Sequence, residues 1–203
     1  MSATLQRRPL VKAILAGADD NLLVIGGLGS SNWDITDAGD RPLNMPLWGA
    51  MGATVGIGLG LALAQPTRRV LVITGDGDML MSLGSLATVA AQPPDNLAIC
   101  VLDNEKFGET GNQATHTSPR NNGPTDSGAG TDLAMIARGC GIADAGTVTT
   151  QAEVAQLVKD LRREKGPVFR LVKVLVEKLE FVMPPQDGAH LKDRFRQALL
   201  GRP

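Results

Sequence analysis

The chain has 203 residues, 43% of them hydrophobic and 20% charged, with 20 basic against 21 acidic side chains for a formal charge of −1. A single α/β domain fits that length, and a chain of this size buries roughly 70% of the surface its unfolded form exposes, so a real core is available. The charge balance removes any electrostatic case for nucleic acid or an anionic membrane surface, and two distant cysteines, Cys100 and Cys140, exclude a cysteine-based metal site.

In chain order, the first pattern predicts a helix over Pro9 to Gly17 and a strand over Leu22 to Ile25. Arg7 and Arg8 precede no signal-type apolar region, because Lys12, Asp19 and Asp20 interrupt it. The most apolar stretch, Met45 to Ala64, is rich in glycine and ends at Gln65-Pro66, and we read Ala50 to Ala64 as a buried helix rather than a membrane span. Val70 to Thr74, Leu97 to Leu102 and Val168 to Val174 are short runs of Val, Ile and Leu. Continuous rather than alternating apolarity predicts strands covered on both faces. Gly141 to Val148 is a candidate further strand.

Helices are predicted over Met79 to Ala91, Asp132 to Arg138 and Gln151 to Glu164, the last with Thr150 and Glu153 at capping-box spacing. Alternating strands and helices predict a doubly wound, mainly parallel sheet flanked by helices, residues 1–180, followed by a tail at 181–203 with a short helix. Asp103 to Gly130 breaks the rhythm as a long polar segment, and loops of that length inside a compact domain are usually functional or disordered. Leu191 to Leu200 is amphipathic, with its own domain or another chain as partner. Cys100 lies in an apolar run and reads as a buried reduced thiol, which suits a cytoplasmic compartment.

The chemistry lies at two strand ends. Gly75-Asp76-Gly77 follows one apolar run and Asp103-Asn104 the next, with 26 residues between Gly77 and Asn104. In an open parallel sheet, ligands sit beyond the carboxyl ends of the strands. If the two strands are neighbours, Asp76 and Asn104 point into one crevice. Gly75 and Gly77 permit close backbone approach, and a helix starting near Met79 aims its free N–H groups at the same place. A carboxylate, a carboxamide and a loop carbonyl are hard oxygen donors of the kind Mg²⁺ takes beside substrate phosphates. The residues alone predict a diphosphate–Mg²⁺ site. Gly56, Gly58 and Gly60 open no helix after a strand, and Gly27-Leu28-Gly29 lacks its last glycine, so neither is a dinucleotide fingerprint.

Gly-Asp-Gly followed one strand-helix unit later by Asn resembles the thiamine diphosphate signature, and Leu22 to Val174 resembles the diphosphate-binding (PP) module of the decarboxylase group. The resemblance implies Mg²⁺ held by Asp76, the Asn104 side chain and the Lys106 main-chain carbonyl. It implies that Gly75, Gly77 and Asp78 line the diphosphate, the last two through their amides. An acid at Asp78 departs from the small residue usual there; beside a diphosphate it is unfavourable unless it turns away or meets the metal. In "WGAMGATVGIGLGLALA" the resemblance puts the apolar wedge that bends the cofactor at Met51, and the carbonyl that binds its aminopyrimidine at Gly49. "DNEKFGETGNQATHT" resembles the loop of sulfopyruvate and phosphonopyruvate decarboxylases. There Thr110 and Gly111 would approach the diphosphate or close over the site, Gln113 and His116 would meet substrate, and His116 would shuttle a proton.

These likenesses imply a beta-type subunit of a heteromeric, thiamine diphosphate- and Mg²⁺-dependent decarboxylase of a small anionic 2-oxo acid. Its expected partner is a separate pyrimidine-binding (PYR) alpha subunit with the cofactor-activating glutamate, because one module consumes this chain. The Gly-rich helix after Met51 and the face of Leu191, Phe195 and Leu199 are the expected docking surfaces. Lys106 and Arg120 are candidates for the substrate's remote anion. Two other readings stay open: the beta subunit of a 2-oxoacid:ferredoxin oxidoreductase, although two cysteines cannot hold a cluster, and a non-catalytic Mg²⁺–diphosphate nucleotide-binding module.

Overall fold

A computed structural model describes residues 4–119, 130–163 and 165–201. Arg120, the middle of the long polar segment and Glu164 lie outside the described residues. In chain order the elements are α1 (Arg7–Leu15), β1 (Leu22–Gly26), α2 (Ser30–Asp37), β2 (Asn44–Pro46), α3 (Thr54–Ala64), β3 (Arg69–Gly75), α4 (Asp76–Met81), α5 (Leu83–Ala91) and β4 (Leu97–Asp103). A small hairpin, β5 (Lys106–Phe107) and β6 (Gln113–Ala114), precedes α6 (Leu133–Gly139), β7 (Asp144–Val148), α7 (Val154–Arg162), β8 (Val168–Lys173) and α8 (Gly188–Leu200).

Six strands form one sheet in the order β2-β1-β3-β4-β8-β7, every neighbouring pair parallel. Successive side chains of each strand go to opposite faces, so two cores form. Leu23, Ile25, Val70, Val72, Ile99 and Phe169 meet the buried faces of α3, α5 and α6 on one side. Leu22, Val24, Leu71, Ile73, Cys100 and Val172 meet α1, α2 and α7 on the other. The expected two-sided burial is therefore present, with β4 buried along its whole length. Burial pushes the Cys100 thiol up to about 12, which keeps it protonated and inert.

Several boundaries differ from the sequence reading. The helix expected from Met79 begins at Asp76, so Asp76 and Asp78 stand in the first turn of α4 rather than in a loop. There their carboxylates suit the positive end of the peptide dipoles. The same helix breaks at Ser82 before α5 starts. The helix expected from Ala50 begins at Thr54, which leaves Met51 in a turn between Gly49 (φ 62°) and Gly52 (φ 85°). Gln151–Glu153 forms a 3-10 turn before α7, closed by the expected Thr150–Glu153 capping box. The tail helix is no free docking face: Leu191 and Phe195 are buried against their own domain, with α8 packed on β2, Phe195 in the core and Arg194 paired with Asp40 at 2.6 Å. No helix among the described residues is long and apolar enough to cross a membrane.

Candidate cofactor and metal site

β3 and β4 lie side by side, with Gly75 opposite Leu102, and β4 pairs with β8 so that Asp103 faces Lys173. Asp76, Asp103, Asn104 and Lys173 therefore gather at the carboxyl edge of the sheet. The chain runs from β1 out to edge strand β2 and returns on β1's other side as β3. That reversal makes the β1/β3 boundary a topological switch point, where open α/β sheets leave a ligand crevice.

The centre of the site is the Asp76 carboxylate, 2% exposed. Its Oδ2 accepts the Thr115 hydroxyl at 2.5 Å, and the Thr117 hydroxyl lies 3.1 Å away. Thr117 also reaches Asp103 Oδ1 at 2.8 Å, so one hydroxyl stands between two buried carboxylates. Burial, then the Asp103 charge, pushes the Asp76 carboxyl up to about 6, against the lowering effect of the two hydroxyls. Asp103 is offset by Lys173, whose Nζ sits 2.8 Å from its Oδ2 and 2.9 Å from Glu105 Oε1. Burial alone would lower the Lys173 pKa, but the Asp103 and Glu105 contacts together raise it.

Asn104 is half-buried, its Oδ1 accepting the Lys106 N–H at 3.0 Å in an Asx turn. Glu105 adopts φ 61° and turns the chain into β5. Lys106 is half-buried in the hairpin, Thr110 and Gly111 are exposed at its tip, and Gln113 holds that tip by bonding Thr110 at 2.8 and 2.7 Å. His116 is exposed between the buried Thr115 and Thr117, and its carbonyl accepts the Thr131 N–H at 2.7 Å. The structure thus brings Thr115 and Thr117 to Asp76 and leaves the His116 ring outside that cluster. Sequence reasoning missed Thr115, Thr117, Asp103 and Lys173 as site residues. A Thr-x-Thr inside a polar loop was the available signal.

Met51 is half-buried and stands at the first turn of α4. A Cβ on Gly77 would lie 3.4 Å from Met51 Cε and 2.6 Å from the Phe107 ring, so only glycine fits between them. Gly49 is exposed, next to Trp48, whose indole N–H donates to the Pro185 carbonyl at 3.0 Å. Asp78 turns away from this space. Its carboxylate accepts the Gly52 N–H, the Thr54 hydroxyl at 2.6 Å and the Thr74 hydroxyl.

The donor set suits a hard dication. Asp76 is a buried carboxylate with no cationic side chain paired to it among the described residues, and a bound metal would supply the missing positive charge. No cluster of three His, Cys, Asp or Glu occurs among the described residues. A set of one carboxylate, one carboxamide and one carbonyl needs no such cluster.

Residues 28–172 match the family model of the thiamine pyrophosphate enzyme, C-terminal TPP binding domain. The chain is 36% identical over 147 residues to the sulfopyruvate decarboxylase beta subunit of Methanocaldococcus jannaschii, covering 72% of this chain and 71% of that one. To the same subunit from Methanothermobacter thermautotrophicus it is 33% identical over 192 residues, 92% of each chain. To phosphonopyruvate decarboxylase of Streptomyces viridochromogenes it is 32% identical over 187 residues, 92% of this chain but 44% of that longer one.

Proposed function

Because the chain belongs to the thiamine pyrophosphate enzymes, we propose that it is the beta-type subunit of a cytoplasmic, Mg²⁺-dependent decarboxylase of a small anionic 2-oxo acid, of the sulfopyruvate or phosphonopyruvate type, yielding an aldehyde and CO₂. The observation that carries the reading is the buried Asp76 carboxylate, without a cationic partner among the described residues, at the end of a strand whose neighbour leads into Asn104. When bound, thiamine diphosphate supplies a nucleophilic thiazolium carbon and an electron sink for the departing carboxylate.

The chain's own residues bind and orient. Asp76, Asn104 and the Lys106 carbonyl would hold Mg²⁺, with Thr115 and Thr117 aiming the Asp76 carboxylate. Gly75, Gly77 and the Asp78 amide would line the diphosphate, and the lack of a side chain at Gly77 leaves the backbone open there. Met51 would support the bent cofactor, and Gly49 would offer its carbonyl to the aminopyrimidine. Thr110 and Gly111, on the exposed hairpin tip, would cover the site and exclude water. Gln113 and His116 would meet the substrate or a neighbouring subunit, with His116 as proton shuttle.

Glu105 and Glu109 would lie on the diphosphate side, and the activating glutamate would come from a separate alpha subunit. The beta-subunit names of the similar proteins support that division. The exposed face of α3, with Ile57 and Leu63 at 40% and 51% exposure, is the proposed docking surface. The test is CO₂ release from a panel containing sulfopyruvate and phosphonopyruvate, with thiamine diphosphate and Mg²⁺. The chain would be assayed alone and co-expressed with its genomic neighbour. Activity only in the complex is expected; full activity of the isolated chain would overturn the two-subunit reading.

A further inference from the structure

We propose that Asp78 is a positioning residue that locks the Met51 turn to the first turn of α4, so that the wedge and the metal-side carboxylate move as one unit. The proposal rests on the cofactor reading for the role of Met51, but its structural half stands on contacts within the chain.

Asp78 is 6% exposed and pairs with no cationic side chain among the described residues. A buried carboxylate persists only where donors satisfy it, and here three do. Oδ1 accepts the N–H of Gly52, which belongs to the peptide joining Met51 to Gly52. Oδ2 accepts the Thr54 hydroxyl at 2.6 Å and the hydroxyl of Thr74, one residue before the end of β3. Gly27, just past β1, closes the nest: a Cβ there would stand 3.0 Å from the same Oδ2.

The local sequence explains the need. α3 begins after Ala53, which has no side chain to cap it, and Gly52 sits at φ 85°, a conformation open to many alternatives. The Ala53 N–H closes the turn onto the Ala50 carbonyl at 3.0 Å, and the Gly52 N–H inside it is bonded to Asp78. Asp78 supplies an acceptor at the entrance of α3 while standing in the first turn of α4, where its charge is favoured. Charge-assisted bonds of this kind are the stronger sort, so one side chain fixes the turn. Asp76, two residues earlier on the same helical turn, is thereby held in fixed relation to Met51.

The test uses the full chain and, for turnover, its complex with the alpha subunit. Hydrogen exchange on the free chain compares residues 49–56 with residues 70–75 in wild type, Asp78→Ser and Asp78→Asn. Asp78→Ser should speed exchange of the Gly52 region about tenfold or more while β3 exchanges as before. Asp78→Asn can still present a carbonyl oxygen to Gly52 and should restore most of that protection. In the complex, Asp78→Ser should lower kcat about tenfold with the thiamine diphosphate Kd shifted less than about threefold, and Met51→Ala/Asp78→Ser should be no worse than Met51→Ala alone.

Equal loss of protection in both segments would reduce Asp78 to a general stability role, and additive kcat losses would separate it from Met51; either overturns the proposal. Should Asp78→Ser fail to fold, Asp78→Asn decides: lower kcat with unchanged Gly52 protection overturns the proposal. If wild type binds no thiamine diphosphate, the cofactor reading fails while the exchange result still judges the Asp78 lock.

Discussion

Thr115 donates its hydroxyl to the Asp76 carboxylate at 2.5 Å across 39 positions of sequence, so the hairpin loop and the end of β3 share one buried bond. Removing the hydroxyl without changing side-chain size isolates it. Thr115→Val should weaken Mg²⁺-dependent thiamine diphosphate binding about tenfold, within the range for partners that orient a metal ligand. Asp76→Ala should abolish that binding while the fold survives. Calorimetric titration of both variants checks this, and wild-type affinity in Asp76→Ala would remove Asp76 from the metal site.

The pH dependence follows from the same carboxyl. Its pKa of about 6 in the folded chain exceeds the ordinary 3.8. The folded state therefore holds this proton more tightly, so the group's stabilisation is present at low pH and is lost as pH rises from about 4 through about 6. The metal-free chain should gain stability on acidification from pH 7 to pH 5, by about 1.3 kcal/mol from this group. Asp76→Asn should lack that gain, and Mg²⁺ with thiamine diphosphate should reverse its sign, because the ion competes with the proton. Denaturant unfolding at several pH values, with and without chelator, reads the difference.

Met51→Ala should lower turnover of the complex more than cofactor affinity, since Asp76 and Asn104 remain. Truncating a half-buried methionine in a turn should cost less than the roughly 2–5 kcal/mol of a core Met→Ala change. Normal kcat at saturating cofactor would make Met51 ordinary packing.

Lys173 is the counter-charge of Asp103, whose side chain is fully buried. Lys173→Met should destabilise by about 3 kcal/mol, because it leaves a buried carboxylate uncompensated. Adding Asp103→Asn should recover much of that loss. Equal stability of the single and double variants, by urea unfolding, would deny the pairing.

The sheet was legible because Val70–Thr74 and Leu97–Leu102 are apolar on both faces, a pattern few other structures produce. α2 escaped because Ser30–Asp37 buries Ser31, Asn32 and Asp34 in place of an apolar stripe, with Asp34 paired to Arg7 and Arg8. β2 escaped because Pro46 closes a three-residue edge strand. Asp76 and Asn104 were visible from their spacing. Thr115 and Thr117 were not, since a Thr-x-Thr in a polar loop does not say which carboxylate it is folded onto, here one 39 residues earlier.

The glycines of α3 divide by what surrounds them. A Cβ at Gly58 would drive into Val72 and reach Leu97, whereas one at Gly56 or Gly60 would meet nothing within 4 Å. Alanine at 56 or 60 should therefore make the solitary chain more robust, by up to about 1 kcal/mol for each replacement in a helix interior. The same substitutions would add a methyl group to the outer surface of α3. Any loss of assembly they cause while melting temperature rises would map, methyl by methyl, where another backbone comes near, with no reference to turnover.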